Sequence, residues 1–250
     1  MTGLLGAVQF LTRIPIRLAA PADHARVVPW FGVVGAMIGA VVGGIAAGLG
    51  ELVPVTVAAA CAVAAGLLIT GAFHEDGLAD VADAFGGGWS VERRLELLKD
   101  STHGTYGVAA MTSSIVIRVA SVASIAAPAA VFASLVAAHT LGRCAAVVAM
   151  MSAPPATDSG LGVSAAASLR PGPTALGLVA GVGITAALCG WWTLPFLGAA
   201  AVGIGAVVVL AVRKVGGLAG DVLGAVEQVV ECLVLVVASG LAARSGIWWI

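Results

Sequence analysis

Residues Trp30–Leu49 read WFGVVGAMIGAVVGGIAAGL, twenty positions with no charge and no proline. A helix that crosses a bilayer needs about 20 predominantly apolar residues, and this stretch meets that length. Val53–Ala72, Tyr106–Ala127, Ala129–Met151, Pro173–Leu194, Phe196–Val212 and Asp221–Ala243 have the same character. The expected fold is therefore all-α, a polytopic membrane bundle of about seven spanning helices. The spans are rich in Gly, Ala and Ser, which let lipid-embedded helices approach closely. Gly32, Gly35, Gly39 and Gly43 recur at three- and four-residue spacing on the first span, a packing stripe. The opening apolar run Leu4–Leu11 precedes its first arginines, Arg13 and Arg17, the reverse of a signal peptide. It reads as an amphipathic or half-inserted helix stopped near Pro15.

Composition carries this reading over the whole chain. Hydrophobic residues make up 60% and charged residues 10% of 250 positions, with a mean hydropathy of +1.07. Soluble domains carry about 25% charged residues, so the polar surface to coat a water-facing globule is missing. A net charge of −1 argues against nucleic-acid binding, which needs a basic footprint. Cys61, Cys144, Cys189 and Cys232 lie singly in apolar stretches, and no Cys-x-x-Cys spacing signals zinc or redox chemistry. Trp30, Trp191, Trp192, Trp248 and Trp249 fall near the ends of apolar runs, where indoles favour the bilayer interface. No repeat or linker divides residues 1–250, which read as one membrane domain.

Lysines and arginines orient the bundle. With the N-terminus inside, the cytoplasmic segments hold Arg13, Arg17, Arg26, Arg93, Arg94, Lys99, Arg170, Arg213 and Lys214, against Arg244 alone outside. Two connections are long enough to fold, and both fall inside. Ser152–Arg170 reads as a small, polar, mobile loop. His74–Thr105 carries the acidic residues Glu75, Asp76, Asp80, Asp83, Glu92, Glu96 and Asp100, more than half of the 13 in the chain.

Within that segment, HEDGLADVADAF (His74–Phe85) sets Asp76, Asp80 and Asp83 at i, i+4 and i+7. On a helix these share one stripe within about 60°. Like charges at i,i+4 destabilise a helix, and no lysine or arginine occurs between His74 and Gly88 to offset them. A solvated acidic face would normally mix in lysines, so a bound cation is the sharper reading. All-oxygen ligands suit Mg²⁺ or Mn²⁺ over zinc or copper. Gly86–Gly88 then ends the helix, and Ser90 caps a short one over Val91–Lys99. The run from Lys99 to Gly107 mixes hydroxyls, glycines, Lys99 and His103. It could hold phosphate oxygens through backbone N–H groups, though it lacks the spacing of a P-loop.

Charged residues at bilayer depth are functional candidates. Asp221 opens the last span on the same side and is the leading extra ligand. Glu227 and Glu231 lie deeper on that helix, and Arg118, His139 and Arg143 sit at comparable depth in other spans. Either these acids pair with Arg118 and Arg143, or they line a substrate cavity.

The stretch Phe73–Ala84, followed by Lys99-Asp100-Ser101 and Gly104-x-x-Gly107, resembles the cobalamin-5′-phosphate synthase family, the adenosylcobinamide-GDP ribazoletransferases. Phe10–Pro15, Pro29-x-x-Gly32, Gly142-Arg143 and Gly217-x-x-Gly220-Asp221-x-x-Gly224-Ala225 carry the likeness over most of the chain. His103 departs from the family's usual residue. The resemblance implies a multi-pass enzyme of the bacterial cytoplasmic (inner) membrane with its active site facing the cytoplasm. Its substrates would be adenosylcobinamide-GDP and α-ribazole or its 5′-phosphate, its product would form with release of GMP, and its cofactor would be Mg²⁺. Asp76 and Asp80 are then expected as metal ligands, Asp83 as a ligand or the base, and Asp221 as a further ligand. Arg13, Lys99 and His103 would neutralise phosphates, with Ser101 and Arg143 as further substrate-binding residues. His74 is the second base candidate. A homo-oligomer stays open.

Two other readings compete. A CDP-alcohol phosphotransferase needs Ala-Arg three residues after Asp-Gly, whereas Leu78-Ala79-Asp80 follows here. A secondary transporter would couple through Glu227, Glu231, Arg118 and Arg143, yet transporters place sites at the midplane of matched halves, and no matched half is visible.

Overall fold

A computed structural model describes residues 2–18, 23–100, 102–157 and 161–247, with the side chains of 161–163 excepted. Among the described residues the chain is all-α, with no β-strand. In chain order the helices are α1 (Thr2–Leu11), α2 (His24–Val27), α3 (Phe31–Gly50), α4 (Val55–Thr70), α5 (Phe73–Gly87) and α6 (Val91–Leu97). Then follow α7 (Thr105–Ala123), α8 (Pro128–Ser152), α9 (Leu161–Ala167), α10 (Pro171–Cys189), α11 (Thr193–Val215) and α12 (Gly220–Ala242). Ser101, Trp248 and Trp249 lie outside the described residues.

Each apolar stretch read from the sequence forms a helix. Among the described residues, five helical stretches are long and apolar enough to cross a bilayer, or six if the bent pair α4–α5 counts as one. Alone, the 16 residues of α4 fall short of the length a bilayer asks for. Pro171–Val215 counts once in that tally, although Gly190 at φ +54 divides α10 from α11. The N-terminal α1 is a short apolar helix that ends at Leu11, and it buries Gly3, Ala7 and Leu11 along one face.

The centre of the bundle is α8, buried almost all round from Ala133 to Val147. A helix apolar on every face belongs in a core. The glycine stripe of α3 lies directly on it. A Cβ at Gly35 would meet the His139 carbonyl, one at Gly39 the backbone of Leu135 and Val136, and one at Gly43 the backbone of Phe132. The packing role expected of these glycines is what the helix pair shows.

The feature that positions the site is the turn between α4 and α5. Gly71 at φ +69 caps α4 by donating its N–H to the Leu67 carbonyl. Ala72 follows at φ +55, the lone positive-φ non-glycine among the described residues. Such a conformation costs of order 1–3 kcal/mol. Together the two swing α5 through 90°, so the acidic helix leaves the direction of α4 and packs across α7 and α12. Glycines end α5 as expected, at Gly87 with Gly88 as cap. Ser90 caps α6 by accepting the Arg93 N–H, though α6 stops at Leu97. The 152–170 connection is less loop-like than its composition suggests. It contains α9, buries Ala165 and pairs Pro155 with Leu218 in an isolated bridge.

Candidate functional site

The three aspartates of α5 leave the helix on one stripe and take different partners. Asp83 faces the start of α7, where its Oδ2 accepts the Gly104 N–H at 2.6 Å and its Oδ1 the Gly107 N–H at 2.9 Å. A helix N-terminus exposes unpaired N–H groups and a partial positive charge, so a carboxylate there is stabilising. A Cβ at Gly104 or Gly107 would strike that same carboxylate, and at Gly107 also the Ala79 carbonyl. The Gly104-x-x-Gly107 pattern is therefore the footprint of Asp83 on α7. Those two N–H groups are committed to Asp83, so the loop does not offer them to phosphate. Replacing Asp83 by alanine should cost about 1–2 kcal/mol, the usual range for a lost cap, read as a lower thermal midpoint in detergent. An unchanged midpoint would show that α7 does not depend on this contact.

Asp76 and Asp80 converge instead on His103, with His103 Nε2 3.2 Å from Asp76 Oδ1 and Nδ1 3.4 Å from Asp80 Oδ1. Asp76 is open to solvent, its side chain 61% exposed, while Asp80 is buried. Burial first, then the charges of Asp76 and Asp221, push the Asp80 carboxyl up to about 6. Asp221, in the first turn of α12, reaches this cluster because α5 and α12 cross at two glycines. A Cβ at Gly77 would run into the backbone of Asp221, and Gly224 faces the backbone of His74. The glycines of Asp76-Gly77 and Asp221-x-x-Gly224 thus serve one helix crossing.

On the neighbouring face of α5, Phe73, His74 and Gly77 line a cavity of about 310 Å³. Phe10 and Leu11 of α1 and Phe31 of α3 close one side, with Leu98 beyond α6 and Met150 of α8 on the other. Lys99 and Asp221 belong to the same lining. Arg13 sits elsewhere, its backbone N–H on the Ile69 carbonyl at 2.7 Å and its side chain against Gly71, over the bend into α5.

Beneath the site lies a buried ionic network. Arg118 Nη2 is 2.9 Å from Glu75 Oε1, and Arg118 Nη1 is 3.1 Å from Glu231 Oε1. Arg143 pairs with Glu227, and with Glu231 Oε2 at 2.9 Å. His139 Nδ1 lies 3.0 Å from Glu231 Oε2, and His74 Nδ1 lies 3.7 Å from Glu227 Oε2. Gln228 donates to Glu227 at 2.9 Å and accepts from Ser114 at 3.0 Å. Of the two roles open to Glu227 and Glu231, ion pairing is the one their geometry shows. Arg143, expected to bind substrate, touches the cavity but is 1% exposed, with its charge met by two carboxylates. His139, Glu227 and Glu231 bring ligand-type atoms within 4.8 Å of one another, yet the Arg143 guanidinium already contacts all three. Glu75 is the network member that the sequence reading did not single out. Its position, about 100° around the helix from Asp76, was the available signal that it points elsewhere.

The chain matches the cobalamin-5-phosphate synthase family over residues 3–239. It is 38% identical over 245 residues to an adenosylcobinamide-GDP ribazoletransferase from Bradyrhizobium diazoefficiens, covering 93% of this chain and 91% of the relative. Proteins of the same description from Shewanella frigidimarina and Azorhizobium caulinodans are 33% and 37% identical, with 94% and 90% of each chain covered. No solved structure matches the chain.

Proposed function

Because this chain belongs to the cobalamin-5-phosphate synthase family, we propose that it is a membrane transferase joining ribazole, or its 5′-phosphate, to adenosylcobinamide-GDP with release of GMP. The observation that carries the reading is the convergence of Asp76 and Asp80 at the solvent-facing edge of α5, beside the apolar cavity and Lys99. In the reaction a ribose hydroxyl oxygen bonds to the phosphorus that stays with the corrinoid. The pyrophosphate P–O bond breaks, and GMP departs with the electron pair. Such a displacement asks for charge neutralisation and in-line positioning more than covalent help.

The donor set fits Mg²⁺. This ion is commonly held by one or two carboxylates, with water and substrate phosphate completing the shell. Asp76 and Asp80 offer two hard oxygens at one place, now facing a single imidazole. Burial first and the neighbouring carboxylates second raise Asp80, and a divalent cation would offset the repulsion among those carboxylates. Bound there, the ion would neutralise phosphate oxygens of the pyrophosphate. Asp76 and Asp80 would hold it, with Asp221 supporting them from α12. Lys99 would meet phosphate at the mouth, with the His103 imidazole beside Asp76 and Asp80 as a further polar partner, while Arg13 stays over the bend into α5. Asp83 acts as a positioning residue, since both its oxygens fasten α5 to α7. The proton of the ribose hydroxyl then falls to His74, which lines the cavity. The excess of lysine and arginine on this side supports a site that faces the cytoplasm. The charges on which a transporter would rely, Arg118, Arg143, Glu227 and Glu231, are paired and sealed.

Purified protein in detergent, given adenosylcobinamide-GDP, α-ribazole 5′-phosphate and Mg²⁺, should release GMP with no transmembrane gradient. Chelation with EDTA should stop turnover and added Mg²⁺ restore it. Absence of GMP would remove the transferase reading, and full turnover in EDTA would remove the metal from it.

A further inference from the structure

The cavity beside the carboxylates has a wall chemistry that phosphate transfer alone does not explain. Phe10 stacks on Phe31 with ring centroids 5.5 Å apart and meets Phe73 edge-on at 5.7 Å. Facing these rings are Leu95, Leu98, Ala146, Met150 and Leu223. Polar character gathers at two places. One is the mouth, with Lys99 and Asp221; the other is the floor, where His74 lies beside Glu227 and Arg143 is already paired with Glu227 and Glu231, and Thr157 adds one hydroxyl to the lining.

Resting on the transferase reading above, we infer that this cavity receives the aromatic base of ribazole and selects which base enters the product. Three substrate parts compete for the space. At about 310 Å³ the cavity lies at the low end of small-molecule sites, roughly 300–1,000 Å³. A corrin ring does not fit in it, whereas a bicyclic base does. Guanine, the second candidate, carries donors and acceptors on both long edges, and each left unpaired among phenylalanines and leucines is penalised. The dimethyl-substituted ring of ribazole's benzimidazole has no polar edge on its methyl side. Its flat faces match the phenylalanine cluster, since aromatic rings gain from stacked and edge-on contacts.

The placement also connects the cavity to the chemistry. Asp221 lines the cavity beside Gly77, its backbone packed on that glycine next to Asp76, so it forms the corner between base and metal ligands. A base seated inward directs its ribose toward that corner. The hydroxyl then arrives beside Asp76 and Asp80, and a 5′-phosphate falls near Lys99, the exposed cation of the mouth. The large corrinoid stays outside, presenting only its pyrophosphate.

Ala146 and Met150 sit four residues apart on α8, one turn along the same cavity wall, and are the residues to vary. Equilibrium binding of α-ribazole and of adenosylcobinamide-GDP should be measured separately on the full chain in detergent, alongside GMP release. In an apolar pocket a single methylene changes discrimination by about 10–200-fold, so Ala146→Leu should weaken α-ribazole binding roughly tenfold or more. Nucleosides of unsubstituted benzimidazole should lose less, and binding of adenosylcobinamide-GDP should not change. Met150→Ala, which adds room instead of removing it, should shift preference toward bulkier bases. It guards against a failure of Ala146→Leu to fold. Unchanged base preference in both variants overturns the inference while GMP release by the parent protein still stands. Weakened adenosylcobinamide-GDP binding in its place would give the cavity to the other substrate. A parent protein that neither binds α-ribazole nor releases GMP would overturn the transferase reading itself.

Discussion

Asparagine at Asp76 or at Asp80 is expected to lower turnover by at least about 10²–10³-fold, the loss typical when one group aimed at developing charge is removed. The two positions should respond differently in stability, which makes the result hard to mistake for unfolding. Asp76 is largely exposed and, among the described residues, its carboxylate pairs with His103, so its replacement should leave the thermal midpoint nearly unchanged. Asp80 is buried beside Asp76 and Asp221, whose charges oppose its own. Neutralising it removes repulsion, and without divalent cation Asp80→Asn should melt at or above the parent. Activity falls while stability holds or rises, a signature of a charge retained for chemistry. Near-normal turnover in both variants would take the reaction away from this stripe.

Methionine at Arg118 is expected to destabilise the protein by about 3–5 kcal/mol, as when one partner of a buried ion pair is removed. Arg118 is 4% exposed and stands between Glu75 and Glu231, so its loss strips the buried Glu75 of its counter-charge, while Glu231 keeps Arg143 and His139. Arg143→Met should behave likewise through Glu227 and Glu231. The network ties α5 to α7, α8 and α12, so the damage should reach the site as well. Combining Arg118→Met with Glu75→Gln should recover part of the loss, because the unpaired charge more than the lost contact sets the penalty. Thermal unfolding in detergent with the double variant measures this coupling. A shift below about 1 kcal/mol in Arg118→Met, the scale of an exposed pair, would mean that water reaches the network.

Whether a residue's role could be read in advance depends on the range of the interaction that sets it. The stripe of Asp76, Asp80 and Asp83 was legible because helical period is local, and the packing face of Gly35, Gly39 and Gly43 for the same reason. The destination of each aspartate was not. Asp83 turns out to cap α7, while Asp76 and Asp80 meet at His103 from a loop some twenty residues on. Glu75, adjacent to Asp76 in sequence, points inward to Arg118. Apolar length, the basis for reading spans, is blind to direction. Gly71 and Ala72 adopt left-handed conformations and turn the chain after only 16 helical residues of α4.

Apolar length, charge asymmetry and helical period are properties of neighbouring residues, and from them the chain alone determined a lipid-embedded helical protein with an acidic helix in its most acidic connection. Which carboxylates face water, which neutralise arginines and where an apolar chamber opens were decided by the tertiary structure. The reason is physical: desolvation and Coulomb energy depend on distances across α5, α7, α8 and α12. Those distances come from helix crossings at glycines far apart in the chain.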